Sequence, residues 1–368
     1  MESEPSLTET KNWLDILILI GILYLFLYSI NLLGHSFKLF GKGFAESLLS
    51  TTSNPYLGLF LGIFATSIIQ SSSTTTSIIV GLVAAGTLSL ENAIPMVMGA
   101  NIGTTVTNML VSFGHATRRT EFRRAFSAAI VHDLFNVFSV IVLFPLELKF
   151  HPIQKTAQLL GAGFVGIGGL KLFNPLKFII QPAIDFTQLI LGHLPHAAVI
   201  MAIFSLVVLF FSLARMVIKV RTMVLGKIEM VIDKYLFGSD FTSLLLGLGV
   251  TAIVQSSSVT TSLIVPLAGA GILTVKQVFP YTLGANIGTT VTALIAALAT
   301  NNAVAVTVAF AHLIFNIFGI LIFYPLRVLP VSLATRLGNF AGKSQRNVFI
   351  IIGVFVLLFM IPILIVIF

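Results

Sequence analysis

The chain has 368 residues, of which 57% are hydrophobic and only 9% are charged, with a formal net charge of +8 and no cysteine. Because a soluble domain carries about a quarter charged residues, this composition excludes an ordinary soluble protein and indicates an integral membrane protein. The lack of cysteine excludes disulfides, thiolate metal sites and cysteine nucleophiles. Lys and Arg are concentrated between apolar runs, which is typical of membrane orientation signals rather than of a surface for nucleic acid.

Apolar segments long enough to cross a membrane occur along the whole chain. A helix needs about 20 apolar residues to cross the hydrocarbon core. The acidic segment MESEPSLTETK at the start lacks the basic flank and cleavage site of a secretory signal, so we expect the helix after it to be retained. We predict an all-α integral membrane protein with apolar helices at 12–33, 90–113, 124–145, 197–219, 278–299, 303–326 and 348–368.

Two polar motifs occur twice at a constant offset. QSSSTTTS at 70–77 matches QSSSVTTS at 255–262, and GANIGTTVT at 99–107 is identical to 284–292, both at an offset of 185 residues. We therefore predict two homologous halves, 35–147 and 220–327, with a tail and first helix (1–34), a connector (148–219) and a C-terminal loop and helix (328–368). Each half is predicted to contain a hairpin with a QSSS tip, a broken helix around GANIGTT and a further helix, at 57–86, 90–113 and 122–145 in the first half and at 243–271, 278–299 and 303–326 in the second.

The basic loops predict how the two halves are oriented. Cytoplasmic loops are enriched in Lys and Arg, and the most basic segments are 115–124, 215–234 and 327–346. If all three are cytoplasmic, an even number of crossings separates neighbouring ones, so the glycine-rich segment QLLGAGFVGIGGL does not span the membrane. Three crossings then separate the two QSSS motifs, and the halves are inverted relative to each other. Inverted repeats are typical of secondary transporters, which hold the substrate where the halves meet.

The repeated motifs also predict a binding site. A straight helix would turn some QSSS hydroxyls toward lipid, whereas a re-entrant hairpin buries them at its tip inside the protein. At GANIGTT, Gly99 and Gly103 permit a break, after which Thr104 and Thr105 begin a half-helix whose positive end attracts anions. Freed carbonyls, Asn101 and the Gln, Ser and Thr oxygens are hard neutral ligands that suit an alkali cation. The motifs therefore predict one site for an anion together with sodium.

A different interpretation is that Ser and Thr only join membrane helices by hydrogen bonds, as they often do. We favour binding because both motifs recur at the same spacing. Gln70 and Asn101 are 31 residues apart, as are Gln255 and Asn286.

Asp133 is the only acidic residue in the middle of a predicted span, and such a residue is a functional candidate because its burial is costly. Its counterpart in the second half is Leu313. We expect Asp133 to offset one bound cation or to carry a proton; the alternative is a structural partner for His132 or a helix end near the Arg-rich loop. His132 and His312 are expected to hydrogen-bond within the bundle rather than to ligate a transition metal.

A hydrolytic triad of Ser72, His132 and Asp133 is disfavoured. Neighbouring side chains on a helix point about 100° apart, so Asp133 is poorly placed to orient His132. The chain also lacks a G-x-S-x-G motif. We therefore predict that the protein is not an enzyme.

The QSSS pair, the two GANIGTT segments, the run RRTEFRRAFSAAIVHDLFNVFSVIVLFPLE and the run FNIFGILIFYPL closely resemble the type II sodium-dependent phosphate cotransporters, in a small bacterial form. The resemblance covers about 35–365. It implies sodium-driven uptake of inorganic phosphate in its divalent form across a bacterial plasma membrane, and it allows a homodimer. Asp133 matches an aspartate that distinguishes electrogenic members, so the resemblance implies net inward charge movement.

Residues of the site follow from the resemblance and from the motifs together. The residues expected to bind phosphate are Gln70, Ser71, Ser72, Ser73, Asn101, Thr104, Gln255, Ser256, Ser257, Ser258 and Asn286. Asn136, Ser256, Thr289 and Thr292 match family positions associated with sodium, and Thr105 and Asp133 are added to this set. Two departures stand out: 147–196 lacks the large Cys-bearing loop of animal members, and Ala285 replaces a Ser often found before the second Asn.

Two alternatives remain open at this point. One is cotransport of another oxyanion such as arsenate or sulfate, or of a dicarboxylate, which competition with labelled phosphate would reveal. The other is an anion channel, which needs a continuous polar path rather than one occluded site. A flux that saturates and requires sodium would speak against a channel.

Overall fold

The computed structural model describes residues 7–40, 53–113, 118–235 and 239–359, and within these ranges it contains helices and no strands. The prediction of an all-α protein is confirmed. The helices are α1 Leu7–Leu39, α2 Pro55–Ile69, α3 Ser72–Ala85, α4 Leu90–Ile102, α5 Thr105–Ser112, α6 Arg119–Phe150, α7 Pro152–Gly166, α8 Gly169–Leu191, α9 Ala197–Tyr235, α10 Asp240–Val254, α11 Ser257–Gly269, α12 Val275–Thr300, α13 Ala303–Phe323, α14 Val328–Ala341 and α15 Gln345–Phe359.

Five helices in the described ranges are long and apolar enough to cross a membrane: Trp13–Leu39, Arg119–Phe150, Ala197–Lys219, Val275–Thr300 and Ala303–Phe323. They contain or overlap five of the predicted segments. The last predicted segment, 348–368, coincides with α15 as far as Phe359, and its remainder lies outside the described residues. The glycine-rich segment QLLGAGFVGIGGL falls mainly in α7, whose 15 residues are too short to cross a core about 30 Å thick.

Each predicted hairpin consists of two short helices that meet at a glutamine. Gln70 ends α2 with φ of 59°, and Gln255 ends α10 with φ of 58°. This left-handed conformation is uncommon for a residue other than glycine. Ser71 and Ser256 then cap the following helices, since their hydroxyls accept hydrogen bonds from Thr74 N and Val259 N. The four helices have 13 to 15 residues, so each is about 20 Å long and too short to cross a membrane alone.

Helices α2 and α3 form a hairpin, as the close contacts between α2 and α4 show. Gly58 lies against Asn92, and Gly103 lies against Ile63 and Thr66, so α2 and α4 run in the same direction. The start of α2 is therefore beside the start of α4, which follows the end of α3 after a short turn. The second half repeats this arrangement: Gly247 lies against Tyr281 and Gly288 lies against Thr251, so α10 runs parallel to α12.

The prediction of a broken helix is wrong for 278–299, because α12 is continuous from Val275 to Thr300. In the first half the helix does break, with α4 ending at Ile102 and α5 beginning at Thr105. The glycines of both GANIGTT segments serve close helix contact. A Cβ on Gly99 would overlap the carbonyl oxygen of Leu59, and one on Gly284 would overlap that of Leu244.

Gly284→Ala should therefore destabilise the protein, because the new methyl group forces α10 and α12 apart. Overpacking of this kind costs about 1–3 kcal/mol. Gly249→Ala on α10 is the matched control, since a Cβ there meets no atom within 4 Å, and it should keep or raise stability. Thermal unfolding of the purified protein in detergent, followed by circular dichroism, measures both. Equal unfolding temperatures for Gly284→Ala and Gly249→Ala would contradict the close contact.

The connections between helices fall at two ends of the bundle. At one end, Asn302 between α12 and α13 donates to the carbonyl oxygen of Ala84 at the end of α3, at 3.4 Å. At the other end, the guanidinium of Arg124 near the start of α6 lies against Gly271, which follows α11. Arg123 also donates to Asn339 of α14 at 2.9 Å there. We call this second end the basic end, because the basic segment around 118–124 and the segment 327–346 meet there.

Candidate substrate site

The two QSSS motifs meet inside the helical bundle. We call residues 70–73 and 255–258 the tips. The hydroxyl of Ser73 donates a hydrogen bond to the backbone oxygen of Gln255 at 3.2 Å, which joins residues 182 positions apart. The two helix pairs therefore bring their tips into direct contact.

Each tip is the N-terminus of a helix. Thr74 N donates to the Ser71 hydroxyl at 3.2 Å, and Val259 N donates to the Ser256 hydroxyl at 3.4 Å. The backbone N–H groups at the first positions of a helix have no partner within it and carry part of the positive end of the helix dipole. The contact between Ser73 and Gln255 thus brings two sets of such donors near each other, which favours an anion.

Several polar side chains at the tips belong to buried residues and are available to bind a ligand. Ser72, Ser257 and Ser258 are 4%, 3% and 6% exposed. Their hydroxyls make no hydrogen bond to the part of the chain that the structure describes. The side-chain oxygen of Gln255 is likewise buried, with no partner among the described residues. Since burying a polar group without a partner is costly, the Gln255 oxygen indicates a ligand site, and the three serines belong to the same two tips.

A buried hydrogen-bond network joins the halves through the GANIGTT segments. His132 Nε2 contacts Asn286 Oδ1 at 2.5 Å, and His312 Nε2 contacts Asn101 Oδ1 at 3.2 Å. Asn286 donates to the side-chain oxygen of Asn136 at 2.8 Å, and Asn136 donates to the backbone oxygen of Asn101 at 2.9 Å. Each histidine thus binds the asparagine of the opposite half. The prediction that both histidines hydrogen-bond within the bundle is confirmed.

The network separates the expected phosphate residues into two groups. The QSSS residues form the tips, whereas Asn101 and Asn286 have their side chains engaged between helices. Thr104 is buried at the break between α4 and α5. His132 uses Nε2 for Asn286, which speaks against a triad with Ser72.

Some of the residues expected to bind sodium already make hydrogen bonds within the protein, and others are available as ligands. Asn136 belongs to the network, Thr289 donates to the Ala285 carbonyl at 3.0 Å, and Ser256 caps α11. Thr292 is fully buried, and its hydroxyl has no partner among the described residues, so it is available as a ligand. Asp133 is 5% exposed, with Oδ1 3.8 Å from His132 Nδ1. The side chain of Thr105 lies outside what the structure describes.

Sequence reasoning missed one polar contact between the halves. Asn108 of α5 donates to the Thr261 hydroxyl of α11 at 2.9 Å, and both residues are buried. The counterpart of Asn108 at the repeat offset is Ala293. A buried polar residue whose counterpart is apolar, as with Asp133 and Leu313, is the signal that could have found it.

These features define a membrane protein that is helical in the described residues and has two QSSS motifs paired as polar tips. The chain belongs to the Na+/Pi-cotransporter family, whose model matches residues 25–172 and 188–326. It is 34% identical over 447 residues to the sodium-dependent phosphate transport protein 2B of Homo sapiens, covering 94% of this chain. It is 36% identical over 412 residues to the 2A protein of Rattus norvegicus, covering 90% of this chain. The chain spans 64% of the length of each of these relatives. No solved structure matches the chain.

Proposed function

We propose that the chain is a sodium-coupled symporter that imports inorganic phosphate. The observation that carries this proposal is the contact between two helix N-termini from homologous halves, with the buried serines Ser72, Ser257 and Ser258 beside them. The family and the names of the relatives support phosphate as the anion and sodium as the coupling ion.

Phosphate would bind between the tips. Removing phosphate from water is expensive, so several fixed donors must replace its hydration at once. The hydroxyls of Ser72, Ser257 and Ser258 and the first backbone N–H groups of α3 and α11 supply such donors. Gln70, Ser71, Ser73, Gln255 and Ser256 complete the proposed cradle.

Sodium would supply the counter-charge. Neither 57–86 nor 243–271 contains a charged residue, so the helix dipoles alone would face a divalent anion. We propose that Thr292, Thr289, Ser256 and Asn136 contribute to sodium binding, with Asp133 offsetting one cation. Because coupling between two binding sites is reciprocal, phosphate affinity should rise with sodium concentration.

Inverted halves would supply the alternating access. The connection after α3 meets the connection after α12, whereas the connection after α11 lies at the basic end beside α6. Corresponding connections of the two halves thus occur at opposite ends of the bundle, which supports an inverted repeat with re-entrant hairpins. We propose that the basic end faces the cytoplasm of a bacterial cell and that substrate is held at the midplane. A homodimer stays a prediction.

Uptake of labelled phosphate into proteoliposomes tests the proposed function. An inward sodium gradient should drive saturable uptake, and an equal potassium gradient should not. Excess sulfate or dicarboxylate should leave uptake unchanged, while strong competition by one of them would favour that ion as substrate. Phosphate flux that is independent of sodium and does not saturate would overturn the proposal in favour of a channel.

Asp133→Gly should reduce the positive charge moved per phosphate by one, because the site loses the carboxylate that offsets one cation. Moving one charge across 100 mV is worth about 2.3 kcal/mol, so uptake by the variant should respond less to an imposed potential. The measurement is uptake with and without a potassium diffusion potential. Glu91→Gln, at an exposed acid in the first turn of α4, is the control and should keep the wild-type response. An unchanged response in Asp133→Gly would remove Asp133 from charge coupling.

A further inference from the structure

A large cleft opens at the basic end, away from the tips. It lies between the start of α6 and the helices α14 and α15, with a volume of about 600 Å³. Its apolar wall is formed by Phe113, Phe122, Val348 and Ile352, and Arg119 lies at its edge with the start of α15. The volume and the apolar wall of this cleft suit a hydrocarbon chain rather than a small ion.

The apolar wall is built from both sides. The rings of Phe113 and Phe122 stack with their centroids 5.8 Å apart, which fixes one side. On α15, Val348 is buried against the cleft, and Phe349, which also lines the cleft, is 70% exposed. The α15 side of the cleft is therefore apolar and exposed at Phe349, as expected beside a bilayer.

The edge of the cleft is positively charged. Arg118 pairs with Glu121 at 2.8 Å and Arg123 bonds to Asn339, but Arg119 is exposed and bonds to no residue in the described ranges. Arginine in the first turn of a helix opposes the helix dipole. The N-terminus of α15, where Asn347 N donates to the Ser344 hydroxyl at 3.3 Å, adds a second positive helix end. The free charge of Arg119 is thus placed where an anion is favoured.

We propose that this cleft binds an anionic phospholipid, with one acyl chain along the apolar wall and the headgroup phosphate at Arg119. Arg119 supplies complementary charge at the edge of an apolar cleft, and the proposed cytoplasmic orientation places this end in the leaflet that carries anionic lipid. The site is separate from the tips, so it would act on the stability or conformation of the basic end rather than as a substrate site.

The test uses the purified full chain in neutral detergent, titrated with phosphatidylglycerol or phosphatidylcholine of the same acyl chains. Native mass spectrometry counts bound lipid. Phosphatidylglycerol should bind the wild type more tightly, and Arg119→Gln should weaken that binding about fivefold, from roughly 1 kcal/mol per basic residue. Arg118→Gln, whose side chain already pairs with Glu121, is the matched control and should bind as the wild type does. Equal affinity of the two lipids for the wild type, or equal loss in both variants, would overturn the proposal.

Two further variants and a competition experiment distinguish lipid binding from binding of a free anion and from a loss of binding caused by misfolding. Ile352→Trp should fill the cleft and lower phosphatidylglycerol binding, whereas Arg119→Lys should preserve most of it. Soluble glycerol phosphate should not compete with the lipid at equal concentration. Competition by glycerol phosphate, with full lipid binding by Ile352→Trp, would show a free-anion site and overturn the lipid assignment.

Discussion

Replacing both Ser72 and Ser257 by alanine should abolish sodium-dependent phosphate uptake at micromolar phosphate. Each hydroxyl is expected to donate to the anion beside a helix N-terminus. A hydrogen bond to a charged group contributes about 1.5–3 kcal/mol, so each single variant should lose about tenfold to a hundredfold in apparent phosphate affinity. The two serines belong to separate halves, so their losses should combine. The measurement is the phosphate concentration for half-maximal uptake at fixed sodium.

The controls are serines of the same two helices that lie about one turn beyond the tips. The hydroxyl of Ser77 donates to the Ser73 carbonyl at 2.8 Å, and that of Ser262 donates to the Val259 carbonyl at 2.7 Å. Ser77→Ala and Ser262→Ala should therefore keep phosphate affinity within about twofold, because only a local backbone hydrogen bond is lost. The caps Ser71 and Ser256 are intact in all these variants, so unfolding temperatures should stay similar. A Ser72→Ala, Ser257→Ala double variant with the affinity of Ser77→Ala would exclude the tips as the phosphate site.

The helix pairs and their tips could be predicted from the sequence because few membrane structures can bury a polar segment that lies between two apolar runs. A neutral polar segment between two apolar runs must be buried in protein if the runs lie in lipid. In both motifs a Gln is followed by a Ser, and a Ser is a favourable N-cap for the next helix. In the structure Gln70 and Gln255 end one helix in a left-handed conformation, and the Ser after each caps the next helix. The repeat made the second tip predictable from the first.

The continuity of α12 could not be predicted from GANIGTT, because the same nine residues contain a break in one half only. The two halves differ in the residues directly after the motif. The first half continues as Asn-Met-Leu-Val-Ser, whereas the second continues with Ala293 and an alanine-rich run. Alanine is the strongest helix former, and Asn, Val and Ser are weaker. In addition, Asn108 reaches across to Thr261, a tertiary contact that Ala293 cannot make.

The roles of Asn101 and Asn286 depended on partners that are distant in the chain. Both asparagines were expected at the phosphate site because they belong to a repeated motif. Their side chains instead meet His312 and His132 from the opposite half. The spacing of the motifs does not say which polar residues of different helices face each other, so this network could not be predicted from it.

Asn286→Ala should lower the maximal rate of uptake by tenfold or more while changing apparent phosphate affinity less. The substitution removes the acceptor of His132 and the donor to Asn136. Each buried group left without its partner costs about 1–3 kcal/mol. The network links α12 to α6 and, through Asn136, to α4, so it fixes the relative position of the two halves. If transport moves one half against the other, losing this link should alter the balance between conformations rather than the tips themselves.

Asn302→Ala separates a defect in coupling from a simple loss of stability. The Asn302 side chain caps α13, accepting from Val304 N at 2.9 Å and Ala305 N at 3.1 Å, and it also touches Ala84 of the other half. Losing a cap costs about 0.5–2 kcal/mol, so this variant should unfold at a lower temperature yet transport at nearly the wild-type maximal rate. Purified variants are compared by uptake per reconstituted protein and by thermal unfolding. If Asn286→Ala loses stability but keeps its maximal rate, as Asn302→Ala should, then the network only holds the helices together and does not couple the halves.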